Sequence, residues 1–174
     1  ANPFNGTFEN SPGFRGTLTP QQVEGIDGSG PAQTAVDIAA SNLFTCALLQ
    51  DKSVRCWGDN GIEQQFQGPN TIVGQLGDPT FYDPVLEDEN TTNINLFDAT
   101  SAEPRRVGGP DGNMFSDKDG NPVSVDAAAI AVHRNGGCLV ADNSVNGDVG
   151  TVWCWGSNST GQLGYNQPGG NDRF

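Results

Sequence analysis

Short apolar stretches separated by clusters of Gly, Asn, Asp and Ser set the rhythm of this chain. The stretches predict strands over residues 36–40, 44–49 and 54–57, and again over 128–132, 137–141 and 151–155. Alternate residues of a strand point to opposite faces, so in 44–49 Cys46 and Leu48 share one face while Ala47 and Leu49 share the other. Both faces are therefore apolar. A strand with one wet face would alternate more cleanly, whereas a sheet sandwiched between two neighbours needs this pattern. Helices are not expected: 24 of the 174 residues are Gly and 11 are Pro, both of which break helices. With 34% hydrophobic residues, the core must come from short strands, and the chain reads as all-β.

The strands recur as a set. Ile38-Ala39-Ala40-Ser41-Asn42-Leu43-Phe44-Thr45-Cys46 aligns without a gap to Ile130-Ala131-Val132-His133-Arg134-Asn135-Gly136-Gly137-Cys138. Cys56-Trp57-Gly58-Asp59-Asn60 then matches Cys154-Trp155-Gly156-Ser157-Asn158, and Gly74-Gln75-Leu76-Gly77 matches Gly161-Gln162-Leu163-Gly164. Upstream, Pro20-Gln21-Gln22-Val23 pairs with Pro104-Arg105-Arg106-Val107. Four matched blocks in one order make an internal repeat.

The order Pro-x-x-Val, Ile-Ala, Cys-Ala-Leu, Cys-Trp-Gly-x-Asn, Gly-Gln-Leu-Gly resembles the RCC1 repeat family, which also holds a bacterial β-lactamase inhibitor protein. The resemblance covers about residues 20–80 and 104–166. It implies β-propeller blades, one four-stranded blade per repeat: a partial propeller of about two blades with flanking strands and long loop insertions. The Pro-x-x-Val segments are expected in the fourth strands. Residues 1–19 read as an extension or part of a preceding blade, 20–103 as the first repeat, 104–166 as the second, and 167–174 as the start of a linker. In this reading Trp57 and Trp155 pack in the core, Gly58 and Gly156 end strands, and Gly77 and Gly164 take positive φ. Asn60, Gly74, Gln75 and Leu76, with Asn158, Gly161, Gln162 and Leu163, complete the structural motif. The chain departs from the family where a histidine is usual, with Phe44 in one copy and Gly136 in the other. The copies also lie farther apart than a spacing of roughly 50 residues, which is typical of such blades. Insertions account for the excess, and loop length costs closure entropy only logarithmically.

The four cysteines fall as one pair per repeat, each pair on consecutive strands of one hairpin. Residues directly opposed on antiparallel strands lie about 4.5–5.5 Å apart at Cα, a separation that a disulfide accepts. Three connectivities exist for four cysteines. Only pairing within repeats treats both copies alike, so Cys46–Cys56 and Cys138–Cys154 are expected. Zinc is the competing chemistry. It is disfavoured because there is no Cys-x-x-Cys and only one histidine, His133. Disulfides of this kind place a protein outside the cytosol.

Three segments invite further readings. Residues 78–103 carry Asp78, Asp83, Glu87, Asp88, Glu89, Asp98 and Glu103 with no Lys or Arg. They read either as a solvated acidic loop or as a contact with another subunit or blade. Asp117, Asp119 and Asn121 offer calcium-type oxygen ligands, but the closing Glu of a twelve-residue loop is absent and Asp119-Gly120 is a hairpin-turn signal. Asn5, Asn90 and Asn158 begin Asn-x-Ser/Thr sequons, hence candidate glycosylation sites.

Charge and motif content narrow the function. A formal net charge of -13 argues against nucleic acid and against an anionic membrane surface. No apolar run is long enough to span a bilayer. The chain opens at Ala1, as a mature N-terminus or a fragment would. With one histidine, no Gly-x-Ser-x-Gly and no phosphate-cradling loop, no catalytic arrangement and no cofactor is expected. Two repeats do not close a propeller of four to eight blades. The expected role is therefore an extracellular structural or assembly module acting through protein–protein contacts with other subunits or further blades, as in a surface filament. The alternative is a secreted recognition module for a protein or glycan, inhibition included.

Overall fold

In the computed structural model, residues 19–60, 62–63, 71–72, 74–78, 100–109, 115–116, 122–142, 149–158 and 160–164 are described. A short 3-10 turn, Pro31–Gln33, precedes β1 (Ala35–Ala40), β2 (Phe44–Leu49) and β3 (Val54–Asp59). The first insertion holds β4 (Ile62–Glu63) and β5 (Thr71–Ile72), and β6 is Thr100–Arg106. Then come β7 (Phe115–Ser116), β8 (Pro122–Val123), β9 (Ala127–His133), β10 (Gly136–Ala141) and β11 (Val152–Gly156).

Two antiparallel sheets carry the architecture: a four-stranded sheet ordered β1-β2-β3-β6 and a three-stranded sheet ordered β9-β10-β11. The pairs β4-β5 and β7-β8 are separate small hairpins. Each large sheet is built on a meander in which consecutive apolar stretches pair antiparallel. The fourth strand of the first sheet comes from farther along the chain. β6 pairs with β3 through Arg55↔Arg106 and Cys56↔Arg105, and Val107 N–H donates to Val54 O at 2.9 Å. The Pro-x-x-Val segment of the second copy thus completes the sheet of the first. The strand runs across the 103/104 boundary read from the sequence, and this ties the two repeats together by backbone hydrogen bonds.

One apolar cluster joins the sheets. Phe44, Cys46, Leu48, Val54 and Cys56 of the first sheet, with Leu76 and Val107, pack against Val125, Ala127, Leu139, Ala141 and Trp155 of the second. β2 is buried on both faces apart from the half-buried Thr45, as its two-sided apolar pattern requires. The second sheet is covered unequally: Leu139 and Ala141 are buried, Val140 and Cys138 only partly, and Val152 is exposed. The expectation of dry sheet faces throughout therefore holds for β2, but not for β1, where Val36 and Ile38 are exposed, nor for the face of the second sheet that carries Val152.

Both disulfides lie within their repeats. Cys46 is directly opposite Cys56 and Cys138 opposite Cys154, each pair 4.1 Å apart at Cα. No free cysteine remains for zinc. Closing loops of this size contributes about 3 kcal/mol per bridge. The two bridges differ in cover: Cys46 and Cys56 are fully buried between the sheets, whereas Cys138 and Cys154 are half-buried. Brief treatment of the native protein with a small thiol reductant should therefore open Cys138–Cys154 first. Mass-spectrometric mapping of alkylated cysteines checks the order, and simultaneous loss of both bridges would contradict it.

Candidate functional site

The repeat motif resolves into a local device that appears twice. At the end of β3, Gly58 (φ 115) brings the chain so close to Leu43 and Phe44 that a Cβ would meet their backbone. Asp59 N–H then donates to Leu43 O at 2.9 Å. Gly156 (φ 104) does the same against Asn135 and Gly136, and Ser157 N–H donates to Asn135 O at 2.9 Å. Only glycine accepts this combination of dihedral and proximity. The kink aims the next asparagine inward. Asn60 Oδ1 accepts Leu76 N–H at 2.9 Å, and Asn158 Oδ1 accepts Leu163 N–H at 3.1 Å. Each asparagine thereby holds its Gly-Gln-Leu-Gly turn, closed by Gly77 N–H to Gly74 O at 3.0 Å and Gly164 N–H to Gly161 O at 3.1 Å. In the first copy an insertion separates the asparagine from the turn; in the second the two are nearly adjacent. The tether is the same in both.

The first turn is then clamped by the second repeat. Trp155 lies over Gly137, directly opposite it in β10, and its indole N–H donates to Gln75 O at 2.9 Å. A Cβ at Gly77 (φ 68) would strike Trp155 and Val107. Gly108 N–H donates to Gly77 O at 2.8 Å, and Ala127 N–H donates to Lys52 O at 2.9 Å. Arg105 of β6 lies 3.7 Å from the carboxylate of Asp78, and Lys52 pairs with Asp142 at the rim. Asp78 is buried here, which corrects its reading as part of a solvated acidic loop. Glu103 stands in β6, while Asp83, Glu87, Asp88, Glu89 and Asp98 lie outside the described residues.

Other sequence candidates fare differently. Asn158 is 5% exposed and its amide oxygen holds the turn. Its sequon reading is therefore corrected: a glycan there would open the turn. Asn5, Asn90, Asp117, Asp119 and Asn121 lie outside the described residues; on either side of 117–121, Phe115↔Val123 and Ser116↔Pro122 pair antiparallel. His133 ends β9, half-buried, with Nδ1 accepting Asn135 N–H at 3.3 Å. Among the described residues no three His, Cys, Asp or Glu side chains cluster as a metal site.

Residues 35–61 match the model of the regulator of chromosome condensation (RCC1) repeat. That segment is β1-β2-β3 with its disulfide and glycine kink. The first copy is an RCC1-type repeat. The second repeats its strands, bridge and turn, so the RCC1-type sheets of this all-β chain are blades of a partial propeller. No curated protein matches the chain. Among solved structures, the crystal structure of Kap60 bound to yeast RCC1 (Prp20) is similar, at 16% identity over 72% of this chain and 33% of that chain, with a TM-score of 0.28. The chain thus spans about a third of that chain's length.

What sequence reasoning missed is the asymmetry of the two RCC1-type repeats. Trp155 is buried and hydrogen-bonded, whereas Trp57, its equivalent, is half-buried. Trp155→Phe strands a buried carbonyl and should cost about 2 kcal/mol or more. Trp57→Phe should cost less than about 1 kcal/mol; urea unfolding of the two variants compares them. Asn60→Ala leaves Leu76 N–H without its acceptor in the fully buried turn. It should lower stability by about 1–3 kcal/mol, and hydrogen exchange at Leu76 should become fast relative to β2.

Proposed function

We propose that this chain is an extracellular propeller module whose work is protein–protein contact, as a structural or assembly component of a cell-surface or filamentous structure, and that it is not an enzyme. The observation that carries the reading is the unequal cover of equivalent faces. One face of the first blade is sealed by the second blade, and the corresponding face of the second blade carries the exposed Val152 and a half-buried disulfide. Exposed apolar sheet surface of this kind favours contact with another protein surface.

The bridges support the extracellular part of the reading. All four cysteines are paired, and disulfides persist where the surroundings are oxidising. No helix among the described residues is long and apolar enough to cross a membrane. The net charge of -13 turns the module away from phosphate-rich partners and towards protein.

Fractionation of the cells that make this protein, with thiols blocked before lysis, tests the reading. We expect the protein in the extracellular or surface-attached fraction, in assemblies well above its own 18.3 kDa, with none of its four cysteines alkylated. A reduced intracellular protein would refute the localisation. A free extracellular monomer that captures a soluble protein or glycan would replace assembly with recognition.

A further inference from the structure

Both Gly-Gln-Leu-Gly turns are held by an asparagine, but the glutamines within them are satisfied differently. In the second copy Gln162 is exposed, and its Oε1 accepts Thr160 N–H at 2.8 Å and the Thr160 hydroxyl at 2.7 Å. In the first copy Val73 stands in the place of Thr160 and has no hydroxyl to donate. Gln75 is also sealed in, at 4% exposed, beside Asn60 at 1%. Among the described residues, no donor meets the buried Gln75 Oε1 and no acceptor meets the buried Asn60 Nδ2. Buried polar groups in native proteins are almost always paired, either with protein or with an ordered water.

The two orphaned atoms belong to residues that touch. The peptide unit joining Gln75 to Leu76 is gripped on both sides: its N–H donates to Asn60 Oδ1 at 2.9 Å, and its C=O accepts the Trp155 indole N–H at 2.9 Å. The Asn60 carboxamide therefore lies against the backbone from which the Gln75 side chain springs. Turning that amide over gives no relief, because its oxygen is committed to Leu76 N–H. The preceding peptide is held more loosely. Gln75 N–H donates to Asn60 O at 3.4 Å, beyond the usual range of about 2.7–3.2 Å. Every group that closes this site lies inside the two repeats.

We propose that a single water molecule is a built-in part of the seam between the repeats, accepting from Asn60 Nδ2 and donating to Gln75 Oε1. The chemistry of the two groups selects water. One needs an acceptor and the other a donor, and a water oxygen carries both functions on one atom. A metal cation would be repelled by the amide N–H, and an anion by the carboxamide oxygen. Buried waters typically make about three hydrogen bonds, and Asn60 O, only loosely engaged by Gln75 N–H, is available as the third partner. The water supplies to Gln75 what the Thr160 hydroxyl supplies to Gln162. It thereby lets a polar turn sit dry of bulk solvent under Trp155.

Water-to-protein NOE and ROE spectra of the isotope-labelled native chain, with both bridges intact, test this. A water held far longer than surface hydration gives cross-peaks of opposite sign in the two experiments. We expect such peaks on the carboxamide protons of both Asn60 and Gln75. In Gln75→Met, which keeps the bulk and drops the amide, the Asn60 peak should be lost. The Leu76 amide should stay protected from hydrogen exchange in that variant, because Asn60 Oδ1 still holds it. Absence of the peaks from either carboxamide of the wild type overturns the inference, whether or not the variant folds. So does a scalar coupling across a hydrogen bond from Asn60 Nδ2 to Gln75 Cδ, which would show the two amides paired directly. Survival of the Asn60 peak in the folded variant overturns it as well.

Discussion

A sheet that is apolar on both faces must be covered on both, and this constraint organises the molecule. β2 places Cys46 and Leu48 on one side and Ala47 and Leu49 on the other, all of them buried. No single blade can satisfy that alone. The first blade meets half of the requirement by borrowing the second: the face with Cys46 and Leu48 is sealed by Leu139, Ala141 and Trp155, and its edge is completed by β6. Burial of this kind contributes roughly 1.5–3 kcal/mol per large apolar side chain, so the seam outweighs any single polar contact within it. The exposed Lys52–Asp142 pair at the rim adds little by comparison.

Within each blade, fixed points make the fold tolerant of its insertions. The disulfide locks the central hairpin at directly opposed residues. The glycine kink and the asparagine tether then hold the Gly-Gln-Leu-Gly turn against the end of the third strand. Because the asparagine grips the backbone N–H of Leu76 or Leu163 directly, the chain between them can lengthen without moving either end. A buried side chain bonded to backbone constrains position, not path length. The β4-β5 hairpin stands in the first copy's insertion, and the turn it precedes matches the uninterrupted turn of the second.

Much of this was legible in the residues. The two-sided apolar pattern of 44–49 and its recurrence over 137–141 pointed to stacked blades, and the paired cysteines on adjacent strands pointed to in-blade bridges. The cross-repeat role of Pro104–Val107 was legible only as a fourth strand of unstated owner, because strand pairing between distant segments leaves no local periodicity. Asp78 and Asn158 were misread for a related reason. An acidic residue in an acidic run and an asparagine in a sequon look solvent-directed, yet Arg105 and the Leu163 amide draw them inside.

Strand positions, the repeat, the disulfide partners and the need for a covering neighbour were set by the sequence alone, since they depend on side-chain alternation and on the spacing of matched blocks. Which faces are covered was decided only by tertiary structure. Val54 and Val152 are the same residue in the same motif before the same Cys-Trp-Gly, and nothing local separates them. One is buried and the other exposed because burial belongs to the surface that packs on a residue, and among the described residues that surface is present over Val54 and not over Val152.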